Sequence, residues 1–329
     1  MNPLKRFYNT YTELDEQQAE QLRNPDTDWH TVEVRIPKHT DLPPCPVSFI
    51  DGIREMKIKW LRLRNTSPAI AFEIRRGETG QLQFQYSVPT KRLERKLRNH
   101  LADATPKIEI VDSGEDGLPV EEGDSIGGGT FSMTRQDWNP LETDHDAPPT
   151  NPVIGALHEQ AMKNTKFVVQ VLFRSAAGKP LRRWWHRHSA HSRINRLRSE
   201  KEQLIGSRKP TASEKKRGRL IDEKVNRPSF KAEIRIAVIG AGEHTPSRVH
   251  ELSGAFNSYS HPESGQSLSA SVEESIRAPP LIRFGEAIAD RRFQESHRRF
   301  RVSSKELAGL VALPDRIQNN ISYAKAHDT

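Results

Sequence analysis

The 329-residue chain has a single cysteine, Cys45. One cysteine excludes an intramolecular disulfide and any zinc site built on several thiolates, and it fits a reducing cytoplasm. No stretch approaches the roughly 18 consecutive apolar residues of a membrane-spanning helix. The opening residues MNPLKRFYNTYTELDEQQ contain no apolar core of the kind a secretory leader needs. Aromatics make up 7% of the chain and hydrophobic residues 34%, against 29% charged. That balance is polar for a globular protein, so part of the chain is expected to be linker or tail. Also missing is G-x-x-x-x-G-K-[ST], the loop whose backbone N–H groups and lysine wrap nucleotide phosphates. No cofactor is therefore expected, and nothing in the sequence gives positive support to catalysis.

Positive charge is abundant but concentrated. Residues Arg182–Arg219 hold 13 Lys/Arg against 3 Glu. This segment alone carries +10 of a chain total of +8, which leaves the remainder at −2. A near-neutral body with one basic segment points to a local contact with phosphate, an anionic membrane surface or an acidic partner, rather than to a general coating of nucleic acid. Within it, Trp184 and Trp185 stand beside Arg182, Arg183 and Arg187, with Arg193 and Arg196 further on. Aromatic and basic side chains together can stack bases and neutralise phosphates, or sit at a membrane interface. These seven residues are the candidate anion or nucleic-acid contacts.

Taken in order, residues 1–28 read as an arm, mobile or docked. Val32, Val34 and Ile36 alternate with Glu33 and Arg35, the pattern of a half-buried strand ended by Pro37. Val47–Met56 has one apolar helical face. Ala69–Arg75 and Leu82–Val88, separated by Gly77 and Gly80, predict a hairpin. Thr90 caps a helix with Leu93, Leu97 and Leu101 in a stripe, and Ile108–Val111 closes as a strand. The β-α-β-β-α-β order over 29–112 is that of the ferredoxin-like unit. The same order occurs in RNA-recognition motifs, which display aromatics on an open sheet face. Here Phe84 and Tyr86 share a face with Leu82 and Val88, so the economical arrangement buries them under the helices and leaves Gln81, Gln83 and Gln85 outside.

Residues 113–165, with Gly127–Gly129, several prolines and scattered apolar anchors, read as an irregular connector ending in a helix over Asn151–Asn164. Lys166–Arg174 predicts a central strand and Phe230–Ile239 another. Between them the basic insertion 181–227 reads as a long helix, broken near Gly206–Pro210. Thr245 reads as an N-cap followed by Pro246. His261–Pro280 reads as loop, and Gly285–Arg299 as a basic helix. The fold class expected is α+β, a ferredoxin-like unit followed by a second α/β unit over 166–314, with 315–329 as a tail.

Three decoys invite chemistry. Gly127–Gly129 has no following lysine. Ile239–Gly242 (IGAG) follows a strand, as a dinucleotide fingerprint does, but Thr245 stands where Gly or Ala is required, so an ordinary strand-to-helix turn is the better reading. His186, His188 and His191 are close in sequence, yet i and i+2 on a helix face apart and no carboxylate accompanies them, so no metal is expected.

The stretch Phe300–Pro314 closes the patterned part of the chain. Ser303 and Glu306 form a capping box, Leu307, Leu310 and Val311 share one helical face, and Pro314 ends the helix. The ending ELAGLVALP, with Glu306, Leu307, Leu310, Leu313 and Pro314, resembles the close of the N-terminal region in conjugation and type IV secretion ATPases of the HerA/FtsK superfamily, of archaeal and Gram-positive type. The strand pair Phe167–Phe173 and Ile234–Ile239 and the order of elements are similar too. In that family the closing helix leads into the motor domain, whereas here 15 residues follow Pro314. The resemblance implies a non-catalytic accessory region that works with a separate motor ATPase or membrane channel subunits, cytoplasmic or peripheral at the inner face of the membrane, with homo-oligomers possible. The alternatives are a nucleic-acid-binding adaptor acting through 182–219 and an enzyme of unknown type, which a deep pocket with convergent polar groups would favour.

Overall fold

A computed structural model describes residues 8–38, 40–59, 64–114, 116–157, 165–177, 180–199, 201–202, 207–294 and 299–324; the described side chains exclude those of 64, 180–186, 201, 202 and 207. The first half contains β1 (Tyr11–Glu13), α1 (Glu16–Arg23), β2 (His30–Arg35), α2 (Val47–Ile53), β3 (Ile58–Lys59), β4 (Arg64–Asn65), β5 (Ile70–Arg76), β6 (Leu82–Val88), α3 (Lys91–Ala104), β7 (Glu109–Asp112), β8 (Ser125–Met133) and α4 (Asn151–Ala156). The second contains β9 (Lys166–Ser175), α5 (Pro180–Arg198), β10 (Lys201–Glu202), β11 (Ser207–Arg208), α6 (Ala212–Asn226), β12 (Ser229–Ile239), α7 (Thr245–Ala255), β13 (Leu268–Val272), α8 (Ala278–Ala289), β14 (Phe300–Ser303) and α9 (Ser304–Leu310).

The fold is α+β, organised on one antiparallel sheet. Its strand order is β1-β8-β12-β9-β5-β6-β2-β7, with β13 also on β8 and β14 also on β12. The two α/β units expected from the sequence share this sheet, because β5 pairs with β9 from Ile70↔Phe173 to Arg76↔Phe167. The arm is docked: β1 pairs with β8, and Ala19 and Leu22 of α1 are buried with Phe284 and Ile288 of α8. The expected tail is anchored as far as 324, with Ile321 bridging Leu82 and Tyr323 bridging Ile36.

The stretch 113–165, expected to be an irregular connector, is partly sheet. It contains β8, a nine-residue strand that pairs with β1, β12 and β13. The glycine triple that reads as loop is there for close approach. A Cβ on Gly128 would lie 1.9 Å from the Ile236 carbonyl oxygen, and one on Gly127 would lie 2.3 Å from that of Thr10. Side chains at these positions would push β12 and β1 away. The span read as loop over 261–280 likewise includes β13, and the basic helix expected at 285–299 is instead α8, an apolar helix burying Leu281, Phe284 and Ile288. Thr245 does not cap α7 as an N-cap; a 3-10 turn at Gly242–His244 precedes it, and the Thr245 hydroxyl donates to the Gly242 carbonyl.

One face of the sheet is apolar. Val34, Phe72, Phe84, Tyr86, Val169, Phe173, Ile234 and Ile236 pack beneath α2, α3, α4, α7 and α9. On the opposite face the expectation of solvated glutamines holds for Gln81, which is exposed, and in part for Gln83, but is overturned at Gln85, which is fully buried. The register aligns Glu33 with Gln85, Gln85 with Glu73, Glu73 with Gln170, Gln170 with Arg235 and Arg235 with Thr130. A polar row thus crosses six strands, all of it buried. Burial of such groups requires partners, and the end of α8 supplies them. Gln170 Nε2 donates to the Ile288 carbonyl, Trp29 Nε1 to that of Asp290 and an Arg235 guanidinium N–H to that of Arg292. Carbonyls at and just past the helix end are thus met by Gln170 and Arg235 of the sheet and by Trp29 beside it. The helix ends in a Schellman turn, with Arg292 N–H on the Ala287 carbonyl and Arg291 N–H on that of Ile288. Arg291 holds the left-handed position, φ +50°, usually taken by glycine. Its guanidinium reaches Glu73 at 3.0 Å.

Candidate functional site

The basic segment forms a helical hairpin inserted between the neighbouring strands β9 and β12. As expected it is interrupted, and the interruption carries the small β10–β11 pair. Thr211 and Glu214 make a capping box that starts α6. The inner faces of α5 and α6 meet through Ala190, Ile194, Leu197 and Ile221, with Trp138 packed against this cluster. The hairpin is fastened to the body by polar contacts. Lys224 forms a buried ion pair with Glu306 at 2.8 Å and donates to the Asn139 carbonyl at 3.2 Å. Arg217 donates to Asn139 Oδ1 at 3.0 Å, and Lys216 pairs with Glu263.

Between the hairpin and the sheet lies a groove of about 1380 Å³. This exceeds the roughly 300–1,000 Å³ of a small-molecule site. One wall carries Arg193 and Arg196 from α5 and Arg217 from α6; the other carries Arg135, Lys231, Arg299 and Arg301, and among the described residues Asp137 is the one lining carboxylate. Trp138, His188, Ser189 and Ser192 complete much of the remainder. The cations feel one another. Arg217 has its pKa lowered first by burial and then by the charges of Arg135 and Arg193. At the upper end, burial and the neighbouring Arg299 lower that of Arg174, and both guanidiniums lie over the Phe293 ring, at 4.8 Å and 5.2 Å.

Of the seven contacts expected from the sequence, the groove gathers Arg193 and Arg196. Arg187 lines a separate small cleft. Arg182, Arg183, Trp184 and Trp185 belong to the first turns of α5, and their side chains lie outside the described residues. Sequence reading missed Arg135, Lys231, Arg299 and Arg301 as site residues. Arg135 and Lys231 sit in stretches with no excess of charge, and Arg299 and Arg301 in a basic run read only as helix; the pairing of β14 and of β8 with β12 brings them to one wall.

The closing helix starts as expected but ends at Leu310, short of Pro314, with Val311 as its C-cap. Ser303 and Glu306 form the capping box, and Leu307, Leu310, Val311 and Leu313 are buried, as is Pro314. The carbonyls at its end are met by two tyrosine hydroxyls, Tyr86 to Val311 at 2.6 Å and Tyr259 to Gly309 at 3.2 Å. Glu306 is also the acceptor for Leu141 N–H and the partner of Lys224, so the capping residue of α9 is part of what holds the groove's helical wall.

The decoys take structural roles. Gly240 and Gly242 have φ of +78° and +51° and turn the chain from β12 towards α7. Cys45 is a half-buried thiol whose pKa burial pushes up to about 11, so at neutral pH it is not a thiolate. His188 and His191 are exposed on α5, and His186 lies among the undescribed side chains. Among the described residues no helix is long and apolar enough to cross a membrane. No curated protein matches the sequence. The family model described as a domain of unknown function, DUF8128, matches residues 4–326, nearly the whole chain, and the protein therefore belongs to that family.

Proposed function

We propose that this protein is a non-catalytic nucleic-acid-binding module that holds a phosphate backbone in the groove between the α5–α6 hairpin and the sheet. The observation that carries this reading is the lining: seven Arg and Lys side chains against one carboxylate, in a groove too large for a single small ligand. Arginine forks match phosphate oxygens, and a row of them tracks a backbone without reading bases. The test is the salt dependence of binding to an oligonucleotide. Each neutralised phosphate contributes about 0.7 to 0.9 to the log–log slope. Replacing Arg193, Arg196 and Arg217 together by Gln is expected to flatten that slope by about two. An unchanged slope, or no binding by the parent at low salt, removes the proposal.

A second reading follows the resemblance to conjugative-transfer ATPases. The strand order β7-β2-β6-β5, all antiparallel, with α2 and α3 on one face, supports a ferredoxin-like assignment for residues 29–112. The buried stripe of Leu307, Leu310 and Leu313 supports the likeness of the closing helix. On this reading the module serves a separate motor ATPase or channel subunits in the cytoplasm, at the inner face of the membrane, and the groove contacts the transferred DNA. A neighbouring reading frame encoding a Walker A motif, whose product co-purifies with this chain, is the expected finding.

A further inference from the structure

Next to the groove, with Trp138 and Arg301 lining both, lies a second cleft of about 100 Å³. It is smaller than the roughly 150 Å³ cavity that admits a benzene ring, so it takes one compact group rather than a chain. Its lining includes Arg54, Arg187, Lys224, Arg227 and Arg301 and, among the described residues, no carboxylate. Lys224 is answered by Glu306 at 2.8 Å and Arg227 by Glu223 at 2.9 Å, and Arg301 is engaged as well. Arg54 is placed differently. Its guanidinium donates to the Met56 thioether, a weak acceptor, and its Nε is buried without a hydrogen-bond partner. A buried donor on a cation carries a large desolvation cost unless an acceptor is supplied. Ser229 also lines the cleft.

From this geometry we infer a second anion site, specific for a single phosphate-type oxyanion, held between Arg54 from the end of α2 and Arg187 of α5. The compact volume and the cation set, with no carboxylate to oppose the ligand, match a tetrahedral anion bound by two arginine forks. Two sources share this chemistry: free inorganic phosphate, and the terminal phosphate of a strand lying in the groove. The second source is open because Trp138 and Arg301 line both spaces, so a strand end leaving the groove meets the cleft. That source rests on the groove reading above; the cleft itself does not.

The experiment uses the full chain and two probes. Inorganic phosphate is titrated calorimetrically, and a short oligonucleotide is compared with and without a 5′-phosphate at fixed salt. The variant is Arg54→Met with Arg187→Gln, which keeps bulk at both positions and leaves the groove cations in place; circular dichroism checks its fold. If a strand end is the ligand, the 5′-phosphorylated oligonucleotide binds about tenfold tighter than the 5′-hydroxyl form. The variant then abolishes that difference while still binding the 5′-hydroxyl form as the parent does. If free phosphate is the ligand, inorganic phosphate gives saturable binding that the variant loses, and the two oligonucleotides bind alike. Absence of both effects overturns the cleft even where oligonucleotide binding persists. Loss of all oligonucleotide binding in the parent, with phosphate binding retained, overturns the groove alone.

Discussion

At the scale of single residues, the buried pair Arg291–Glu73 decides how the polar face of the sheet is closed. Arginine in a left-handed conformation costs about 1 kcal/mol relative to glycine. The residue is retained there by its bond to a carboxylate that is only 2% exposed. Burial alone raises the pKa of Glu73; the charges of Arg291 and Arg75 and the hydrogen bonds from Gln170 and Arg291 outweigh it, and the net shift is downward. Arg291→Gly relieves the backbone and is nevertheless expected to destabilise by up to about 3 kcal/mol, because the buried Glu73 carboxylate loses one of its two arginine partners and keeps only Arg75, at 3.4 Å. Urea denaturation at neutral pH measures this, and a stabilised variant refutes the account. The sign of the pH dependence follows. A carboxylate with a depressed folded pKa contributes stability that is present above its unfolded pKa near 4.3 and lost as pH falls through the folded value. Glu73→Gln should therefore lose less stability than the parent between about pH 5 and pH 3.

At the scale of elements, α9 shows how a short helix is specified by its ends and one face. The capping box satisfies its first N–H groups, and tyrosine hydroxyls take carbonyls at its end. Leu310 is 2% exposed. Leu310→Asp places an unpaired charge against α2 and the sheet, and a loss of several kcal/mol is expected. Thermal melting checks it, and a variant that melts with the parent removes the packing argument. The same helix sends Glu306 to Lys224, so stability of the closing stretch and orientation of the hairpin are linked through one buried ion pair.

At the scale of the whole molecule, the α5–α6 hairpin is an excursion from a sheet that does not need it. Ser175 faces Phe230 across the β9–β12 pair, and Ala176 N–H bonds the Ser229 carbonyl, so the strands are already adjacent where the excursion leaves and returns. Replacing residues 177–228 by Asn-Gly, together with Glu306→Gln to avoid an orphaned charge, converts the insertion into a two-residue hairpin turn. This chain is expected to keep the far-UV signature of its sheet and to lose oligonucleotide binding. Retained binding at the parent's affinity would locate the contact elsewhere and sink the groove.

The sequence by itself determined the local elements wherever periodicity and caps agree. The alternation of Val32 and Val34, the leucine stripe at 93, 97 and 101, and the Ser303–Glu306 box each depend on neighbours within a few residues, and each appears in the fold. It also located the charge excess of 182–219, because charge is additive along the chain. Tertiary structure alone decided three things. It made Gly127–Gly129 a strand, since what a missing Cβ accommodates is a neighbour from elsewhere in the chain. It buried the face of Gln85, because alternation tells which residues share a face but not whether a helix near residue 285 will cover it. And it assembled the groove, since Arg135, Arg193, Arg217 and Arg299 are far apart in sequence and converge only through antiparallel register and the docking of one hairpin. A binding site made of long-range contacts has no local signature, for the physical reason that its charges do not act together until the backbone has brought them within a few ångströms.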